Sequence, residues 1–484
     1  MTEKKKLERA RGRTAWILVF VMFILTISSW VYALNPSFST IIQPGTNISG
    51  YSYIIFTDGT SIFARNGNTG AIDYSGTTFS TVTQNAINAI GGVGSIFFAK
   101  QINPQPGHTV TFFGQNVPYD YRPLSTVNVP YGVSLFSNAA VFDVSGINST
   151  VFVINSIAST TTNGFAETVS NFNVIGSLSN SNTTFIYILR TNRGIFVDTI
   201  ITNFVSNPIV IVGEAYDSVI ANSNFNQGVT AISGSKGAYT TGPNDLNIVN
   251  TAIQVFTTGI TISDAYGVSA VNIYCEAVFL CVNGVDTISS SFIGPSIINA
   301  VGIKNPRIVS GNVFENAVTG ISSILITDAN NPISVTGNVW RLASGNSSAI
   351  VFGIVYNGLA TISGNTVTLS NTAGSSFVKV WGGSSITRTV ITGNLIYSGN
   401  PQIDLPNESD YLVVSMNNFA SSANISIKYH SYYSNFVGNT FTDANYAFWQ
   451  INGGSVFISD SFSRNIGTFV YTEAGSVPTQ TDNN

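Results

Sequence analysis

A four-residue motif returns at near-regular intervals in the second half of the chain. The clear copies join an aliphatic residue, a hydroxyl residue, Gly and Asn, and they end at Asn312, Asn338, Asn365 and Asn394. Degenerate copies end at Asn417 and Asn439, so that successive Asn lie 26, 27, 29, 23 and 22 residues apart. A period in this range indicates a solenoid, because one turn cannot bury its own apolar face and must stack on the next.

The segments between the motifs have the composition of strands and turns. They are short runs rich in Val, Ile, Phe, Tyr and Thr, such as Ile350–Tyr356 and Phe377–Trp381, and Gly, Asn or Ser interrupts them every few residues. The fixed Leu positions of leucine-rich repeats and the 3.6-residue apolar spacing of helical repeats are both missing. The sequence therefore predicts an all-β fold, a parallel β-helix with about three strands per turn.

The repeated Asn predicts a ladder inside this coil. Asn tolerates the left-handed backbone conformation, and its amide can bond its neighbours in a tight turn. In a coil of constant geometry the same turn recurs above itself, which would stack six amides: Asn312, Asn338, Asn365, Asn394, Asn417 and Asn439. This interpretation makes the motif structural, so that a functional site should lie among residues that do not repeat.

The open end of such a coil exposes strand edges and an apolar interior, and it needs a cap. Residues 80–92 predict a capping helix with Ser80 as N-cap and Gly91 at its end. Its apolar residues fall on one helical face: Val82, Ala86, Ala89 and Ile90. A strand, Ser95–Ala99, follows at once.

The stretches Ile62–Asp73, Thr83–Ile90 and Gly94–Phe98 resemble the N-terminal cap of the pectate-lyase-like superfamily. That superfamily includes polygalacturonases, pectate lyases and phage tailspike depolymerases. Gln84 and Ile87 fall where its pattern expects them, although Thr78-Phe79 replaces its pair of Asp. The resemblance implies a right-handed, single-stranded parallel β-helix with a short N-terminal capping helix. It implies no single activity, because this scaffold hosts many functions.

The N-terminus predicts export. Residues 4–13 carry six Lys or Arg, and the apolar run Trp16–Ile27 follows, with no charge before Asp58. The run is typical either of a signal peptide cleaved after Ala33 or of one retained membrane anchor over 15–34. Because basic residues stay in the cytoplasm, both readings place the body of the protein outside it, extracellular or at the cell surface.

The predicted organisation has five parts. They are a signal peptide or transmembrane anchor (1–34), an N-terminal extension (35–61), the cap (62–100), the parallel β-helix (101–470) and a flexible tail (471–484).

Composition limits the partners. Charged residues are 9% of the chain, against about a quarter in typical proteins, and the net charge is −4. Beyond residues 1–34 no basic patch is present, which argues against nucleic acid as a partner. Six sequons predict an exported glycoprotein: Asn47, Asn148, Asn182, Asn346, Asn407 and Asn424.

The chain has two cysteines, Cys275 and Cys281. In an exported protein they can form a disulfide that closes a corner between two strands of one turn. The alternative is a pair of buried thiols. A structural zinc site would need further ligands, so no metal site is predicted.

A catalytic set is harder to find. The Gly-His-Gly of polygalacturonases is missing around His108, and their Asn-Thr-Asp and Asp-Asp motifs are missing as well. The candidates for catalysis are Asp264, Asp286 and Arg307, whose spacings of 22 and 21 residues suit one column on the outer face. Glu214, Asp217 and Glu276 lie in the same third of the chain. The alternative is isolated charges on a solvated surface. No cofactor is predicted, and calcium would be needed only by a lyase.

Aromatic residues make up 12% of the chain, and Tyr429, Tyr432 and Tyr433 are candidate carbohydrate-binding residues in a loop. The alternative places them in the core or in a C-terminal cap.

Three function classes follow. The first is an exported β-helix that binds a polysaccharide or cell-surface glycan, or has a structural or adhesive role. The second is a polysaccharide lyase or glycoside hydrolase, and the third is a viral or adhesion spike. The missing catalytic motifs favour the first class over an enzyme. The membrane is a partner if the N-terminal segment is uncleaved, and a homo-oligomer is left open.

Overall fold

Short strands stacked turn upon turn make up most of the computed structural model. The structure describes residues 50–101, 108–112, 115–155, 167–177, 179–191, 194–316, 320, 322–342, 346–370, 372–381, 383–420, 425–430, 434–442, 446–450, 456–463, 470–472 and 479–480. One helix, α1, spans Phe79–Ile90.

The strands of the first half are β1 (Tyr53–Thr57), β2 (Ile62–Asn66), β3 (Ile72–Gly76), β4 (Gly94–Phe98), β5 (Thr109–Phe112), β6 (Gln115–Pro118), β7 (Val127–Pro130), β8 (Val133–Ser137), β9 (Val141–Asp143), β10 (Thr150–Asn155), β11 (Thr168–Ile175), β12 (Thr184–Thr191), β13 (Phe196–Asn203), β14 (Asn207–Ala215), β15 (Val219–Ala221), β16 (Asn224–Ser235), β17 (Asn247–Ile262), β18 (Ser269–Glu276), β19 (Leu280–Asn283), β20 (Thr287–Ser289) and β21 (Phe292–Gly294).

Those of the second half are β22 (Val301–Lys304), β23 (Ile308–Ser310), β24 (Val313–Asn316), β25 (Ser322–Ile326), β26 (Ile333–Thr336), β27 (Val339–Leu342), β28 (Ser348–Phe352), β29 (Ala360–Ser363), β30 (Thr366–Leu369), β31 (Ser376–Val380), β32 (Thr389–Thr392), β33 (Leu395–Tyr397), β34 (Ile403–Glu408), β35 (Val413–Ser415), β36 (Asn418–Ala420), β37 (Ile425–His430), β38 (Ser434–Thr442), β39 (Tyr446–Gln450), β40 (Val456–Ser463), β41 (Val470–Thr472) and β42 (Thr479–Gln480).

Three strands form one turn in the middle of the coil. The strands β20, β21 and β22 pair in parallel with β23, β24 and β25 of the next turn. This register places Ile288 beside Val309 and Ile293 beside Phe314, and all four side chains are buried. Because successive side chains of a strand point to opposite faces, alternate residues fill the interior of the coil and the residues between them face outward. The predicted parallel β-helix is confirmed.

The pairing begins before the predicted cap. The strand β1 pairs antiparallel with β2 and parallel with β4, which places Tyr53 beside Ile96. The segment 35–61, predicted as an extension, therefore contributes a strand to the sheet. The strand β3 adds to β2 antiparallel, so the sheet starts as an antiparallel meander.

The helix α1 lies where the sequence predicts it, but two details of that prediction were wrong. The N-cap position is Thr78, and the hydroxyl of Ser80 donates instead to the Ser125 carbonyl at 2.7 Å. Ala89 is exposed, and the buried face holds Phe79, Val82, Thr83, Ala86 and Ile87. Gly91 ends the helix in the left-handed conformation with φ 65°, as predicted.

The side chain of Gln84 satisfies a strand edge. Its Oε1 accepts from the backbone N of Asn128 at 2.7 Å, and its Nε2 donates to the carbonyl of the same residue at 3.0 Å. Asn128 lies in β7, whose other side pairs with β10. The helix thus supplies both hydrogen bonds that a further strand would make there.

The turn before each ladder Asn depends on one left-handed residue. Gly311, Gly337, Gly364 and Gly393 have φ of 63–64°, because Gly lacks the Cβ that disfavours this conformation. The six ladder Asn do not adopt the left-handed conformation. Their tolerance of that conformation therefore does not explain why they recur, contrary to the prediction. Three turns of the first half use another set of Asn at this position, at φ 50–55°: Asn222, Asn250 and Asn272.

Met416 occupies this left-handed position in the turn before Asn417, with φ 53° and 74% of its surface exposed. We expect Met416→Gly to raise the free energy of unfolding by up to about 1 kcal/mol, because the strained conformation then costs nothing extra. Urea unfolding followed by circular dichroism measures the change. Val437→Gly, at an extended strand position, should destabilise instead; a loss of stability in both variants would contradict the assignment.

Two short strands lie near the C-terminus. β41 pairs with β39 and β42 pairs with β40, while most of the segment 471–484, predicted as a flexible tail, lies outside the described residues. The stack of parallel strands therefore continues to Gln480.

In the part of the chain that the structure describes, no helix has both the length and the apolar character to span a membrane. The segment 1–34, predicted as a signal peptide or anchor, lies outside that part.

Candidate functional site

The six repeated Asn form one buried column in which each amide bonds the next. Oδ1 of Asn338 accepts from both the backbone N and Nδ2 of Asn312, at 2.9 and 3.0 Å. The same pair of hydrogen bonds to one Oδ1 recurs at every step to Asn439. Nδ2 of Asn338 also donates to the Val309 carbonyl at 3.0 Å. With these amides engaged inside the coil, the column holds turns together and offers no ligand site.

A disulfide joins Cys275 to Cys281, with the Cα atoms 6.1 Å apart. Both residues are buried, and they close the corner between β18 and β19. The bond lies directly beneath Tyr274 and Glu276, whose side chains face outward.

The predicted acidic column is only partly assembled. Arg307 Nε lies 3.2 Å from Asp286 Oδ1, since the two residues occupy the same position in adjacent turns. Asp264 is not in that column, because Val268 occupies its position: the Val268 N donates to Asp286 Oδ2 at 3.2 Å. Asp264 instead pairs with Lys236 at 3.6 Å. The column of three expected from the spacing was therefore wrong.

Tyr429 is not a surface residue. It lies in β37, is fully buried, and packs against Phe436 and Phe448. Its candidacy for carbohydrate binding was wrong, because strand alternation puts it on the same inward line as Ile427. Tyr432 and Tyr433 lie outside the described residues.

The sequons differ in accessibility. Asn148, Asn182 and Asn346 are exposed, whereas Asn407 is half-buried. Nδ2 of Asn407 donates to the carbonyls of Trp381 and Ser384, at 3.1 and 2.7 Å, and a glycan on that nitrogen would disrupt both bonds. Asn47 and Asn424 lie outside the described residues.

A different set of acids and rings meets on the outer face of β17, β18, β21 and β24. The register aligns Gln254 with Glu276 and Tyr274 with Phe292. In the two turns that follow, Gly294 and then Glu315 occupy the same strand position as Glu276. We name the five side chains the acid–aromatic surface: Gln254, Tyr274, Glu276, Phe292 and Glu315. In the following turn, Arg341 occupies the strand position that Glu315 occupies in its own turn.

Hydrogen bonds and stacking hold this surface in one arrangement. The rings of Tyr274 and Phe292 stack with centroids 5.1 Å apart and planes at 13°. The Tyr274 hydroxyl donates to Glu276 Oε2 at 2.6 Å, and Gln254 Nε2 donates to the same oxygen at 3.3 Å. Burial first, and then this bond to Glu276, raise the pKa of Tyr274 to about 12, so the phenol stays protonated at physiological pH.

Glycine shapes the space between the two carboxylates. A Cβ at Gly294 would lie 2.8 Å from the Phe292 ring. Only Gly at this position lets the ring lie between Glu276 and Glu315. Glu276 and Glu315 are two turns apart, about 10 Å along the stack. The surface therefore has an aromatic floor with an acid on each side.

The backbone beside the surface is strained. Gln227, Val255 and Ala277 have φ of 57, 59 and 54°, and Val255 and Ala277 directly follow Gln254 and Glu276. A β-branched residue in this conformation is an outlier. Such strain clusters at functional sites, where the surrounding structure holds it in place.

The sequence carried a signal for this surface that spacing arguments missed. Glu315 and Arg341 each stand three residues after a ladder Asn, which places both on one outward line. Glu276 falls on that line as well, whereas Glu214 bonds Arg190 and Thr241 elsewhere. Aligning the turns on the ladder, rather than counting residues between charges, recovers Glu315 and Arg341, whereas Glu276 precedes the ladder and joins the line only through strand register.

No family model matches the chain, and no curated protein matches it. Among solved structures it is similar to the tailspike protein of E. coli bacteriophage HK620, with 13% identity, a TM-score of 0.38, and 79% of this chain and 68% of that chain covered. It is also similar to PfbA, a surface adhesin of Streptococcus pneumoniae, with 10% identity, a TM-score of 0.36, and 81% and 90% covered.

A third similar structure is the A-module of the Azotobacter vinelandii mannuronan C-5 epimerase AlgE6, with 13% identity, a TM-score of 0.32, and 84% and 96% covered. At these identities and TM-scores the likenesses carry no functional argument. The strand pairing itself makes the chain a parallel β-solenoid.

Proposed function

We propose that this protein binds carbohydrate through the acid–aromatic surface. The observation that carries the proposal is the stacked pair Tyr274 and Phe292 beside the hydrogen-bonded carboxylate of Glu276. Aromatic rings offer apolar contact to the C–H faces of a sugar, and a few fixed polar groups around them set orientation. Glu276, Gln254 and Glu315 supply acceptors and a donor for hydroxyl groups.

The proposal includes export to the cell surface or the exterior. It is supported by the basic stretch and apolar run within residues 1–34 and by the low content of charged residues. A polysaccharide or a cell-surface glycan is then the partner.

Tyr274→Ala is expected to weaken binding at least about tenfold, because it removes both a stacked ring and the hydroxyl that holds Glu276. Affinity electrophoresis of the full-length protein through a panel of polysaccharides identifies a ligand, and calorimetry then compares variants. Tyr266→Ala is the matched control, since Tyr266 is 64% exposed and is not part of the acid–aromatic surface. Equal binding by the two variants would refute the assignment.

A second function, glycoside hydrolysis, is favoured by one further observation. Glu276 and Glu315 flank the ring of Phe292 with their backbones about 10 Å apart. Inverting glycosidases hold their two carboxyls about 6.5–9.5 Å apart, so the two side chains would have to lean toward each other. One would protonate the leaving oxygen while the other activates water. Release of reducing ends, lost in Glu276→Gln and in Glu315→Gln but kept in Asp217→Asn, would establish it. Binding without release in the unmodified protein would limit the surface to recognition.

A further inference from the structure

A second concentration of charge lies on another face, formed by β31, β34 and β37. The register aligns Lys379 with Asp404 and Asp404 with Lys428, so three charged side chains occupy one outward line on consecutive turns. Adjacent turns are about 4.8 Å apart. In a chain with 19 basic residues in 484 and a net charge of −4, two lysines so close together create a local positive field.

These three described side chains lie close together without a direct ion pair. Among the described residues, no ion pair within 4.0 Å joins either lysine to Asp404. Nζ of Lys379 donates instead to the Gly374 carbonyl at 3.1 Å. Oδ1 of Asp404 is buried and accepts no hydrogen bond. A buried acceptor without a donor is rare in folded proteins and requires an explanation.

An aromatic platform lies beside the charged line. Trp381 follows Lys379 by two residues, and 45% of its surface is exposed. A Cβ at Gly353 would lie 3.3 Å from the indole and 3.5 Å from the Leu325 side chain, so both lie over that glycine. Leu325 and Val351 continue the line of Lys379 and are buried, which makes that end apolar.

We propose that Lys379, Asp404, Lys428 and Trp381 form a second carbohydrate site, specific for an anionic saccharide; this rests on the proposed function. The two ammonium groups would hold carboxylate or sulfate substituents, and the indole would stack on the ring. The acid–aromatic surface, which carries two carboxylates, would repel such a ligand.

Burial raises the pKa of Asp404, and the positive charges of Lys428 and Lys379 oppose that rise. The raised pKa reflects the burial of this carboxyl between the two turns that carry the lysines.

Three polymers with one backbone test the proposal: dextran, carboxymethyl dextran and dextran sulfate, each titrated into the full-length protein. The charged forms should bind at least about tenfold more tightly than dextran. Lys379→Met and Lys428→Met should each remove most of that difference, and Trp381→Ala should weaken every form that binds. Lys304→Met is the matched control, because Lys304 lies on the same line three turns away.

A preference for sulfate or for carboxymethyl groups would identify the substituent within the proposed class. Charged polymers that bind no better than dextran would overturn the proposal, as would equal losses in Lys304→Met and Lys428→Met. Tyr274→Ala separates the two sites: charged-dextran binding that survives it supports an independent second site. Binding that is lost in Tyr274→Ala and kept in Lys428→Met would assign all recognition to the acid–aromatic surface.

Discussion

Asn338→Asp is expected to lower the free energy of unfolding at pH 7 by about 3–5 kcal/mol, the cost of leaving a buried charge unpaired. The introduced carboxylate would face the oxygens that now accept from Nδ2: the Val309 carbonyl at 3.0 Å, the Thr336 carbonyl at 3.1 Å and Oδ1 of Asn365 at 3.1 Å. Asn338 is fully buried, so water cannot screen the repulsion. The change removes no volume, which isolates the hydrogen-bonding role of the amide.

The pH dependence of this loss has a definite sign. Burial raises the folded-state pKa of the introduced carboxyl above its unfolded value of about 3.9. Below that value both states are protonated, and the carboxyl can again donate to a carbonyl. The deficit is therefore smallest in acid and grows as the pH rises through the folded-state pKa. Urea unfolding of the variant and its parent from pH 3 to pH 8 measures it.

Asn250→Asp is the matched control. Asn250 belongs to an exposed ladder, in which it donates to Asn222 at 3.1 Å and accepts from Asn272 at 2.8 Å. There the same chemical change should cost at most about 1 kcal/mol, because water solvates the charge. If Asn338→Asp proves no worse than Asn250→Asp, the internal ladder is not a source of stability.

Phe142→Ala is expected to cost about 3–5 kcal/mol, the usual range for truncating a buried aromatic residue. Its ring lies in an aromatic cluster at the start of the coil, with centroids 5.0–6.3 Å from six other rings: Phe79, Phe98, Tyr121, Phe152, Phe172 and Phe185. Phe79 belongs to α1, so the cavity would also loosen the helix.

The location of this effect is as informative as its size. Solenoid stability is roughly a sum over neighbouring turns, so hydrogen exchange should accelerate near residues 79–185 and much less near 390–420. Phe292→Ala provides the comparison, because that ring is only half-buried and should cost less than about 1.5 kcal/mol while weakening glycan binding. A uniform loss of protection along the coil would contradict nearest-neighbour stability.

Much of the fold could be predicted because it is local and periodic. The spacing of the ladder Asn reports the length of each turn, and strand-forming residues between them exclude helical repeats. The helix α1 was predictable from apolar spacing and Gly91, but its N-cap was not, since Ser80 bonds Ser125, 45 residues away. Tyr429 was misassigned although its alternation with Ile427 already indicates an inward side chain.

The candidate site could not be predicted in the same way. Glu276 and Glu315 are 39 residues apart and separated by corners of unequal length, so counting between charges misaligns them, as it did for Asp264. Their common line appears only when each strand is placed in register with the next. Lys379, Asp404 and Lys428 were overlooked for the same reason.

The amino-acid sequence is enough to show that this chain coils, how long a turn is and which amides hold the turns together, because those properties repeat and depend on neighbours along the chain. The folded structure is needed to show which non-repeating side chains share an outer face, because that depends on register across turns. It also decided that Glu276 has a hydrogen-bonded hydroxyl while Oδ1 of Asp404 has no donor, since burial and partners are set by residues distant in sequence.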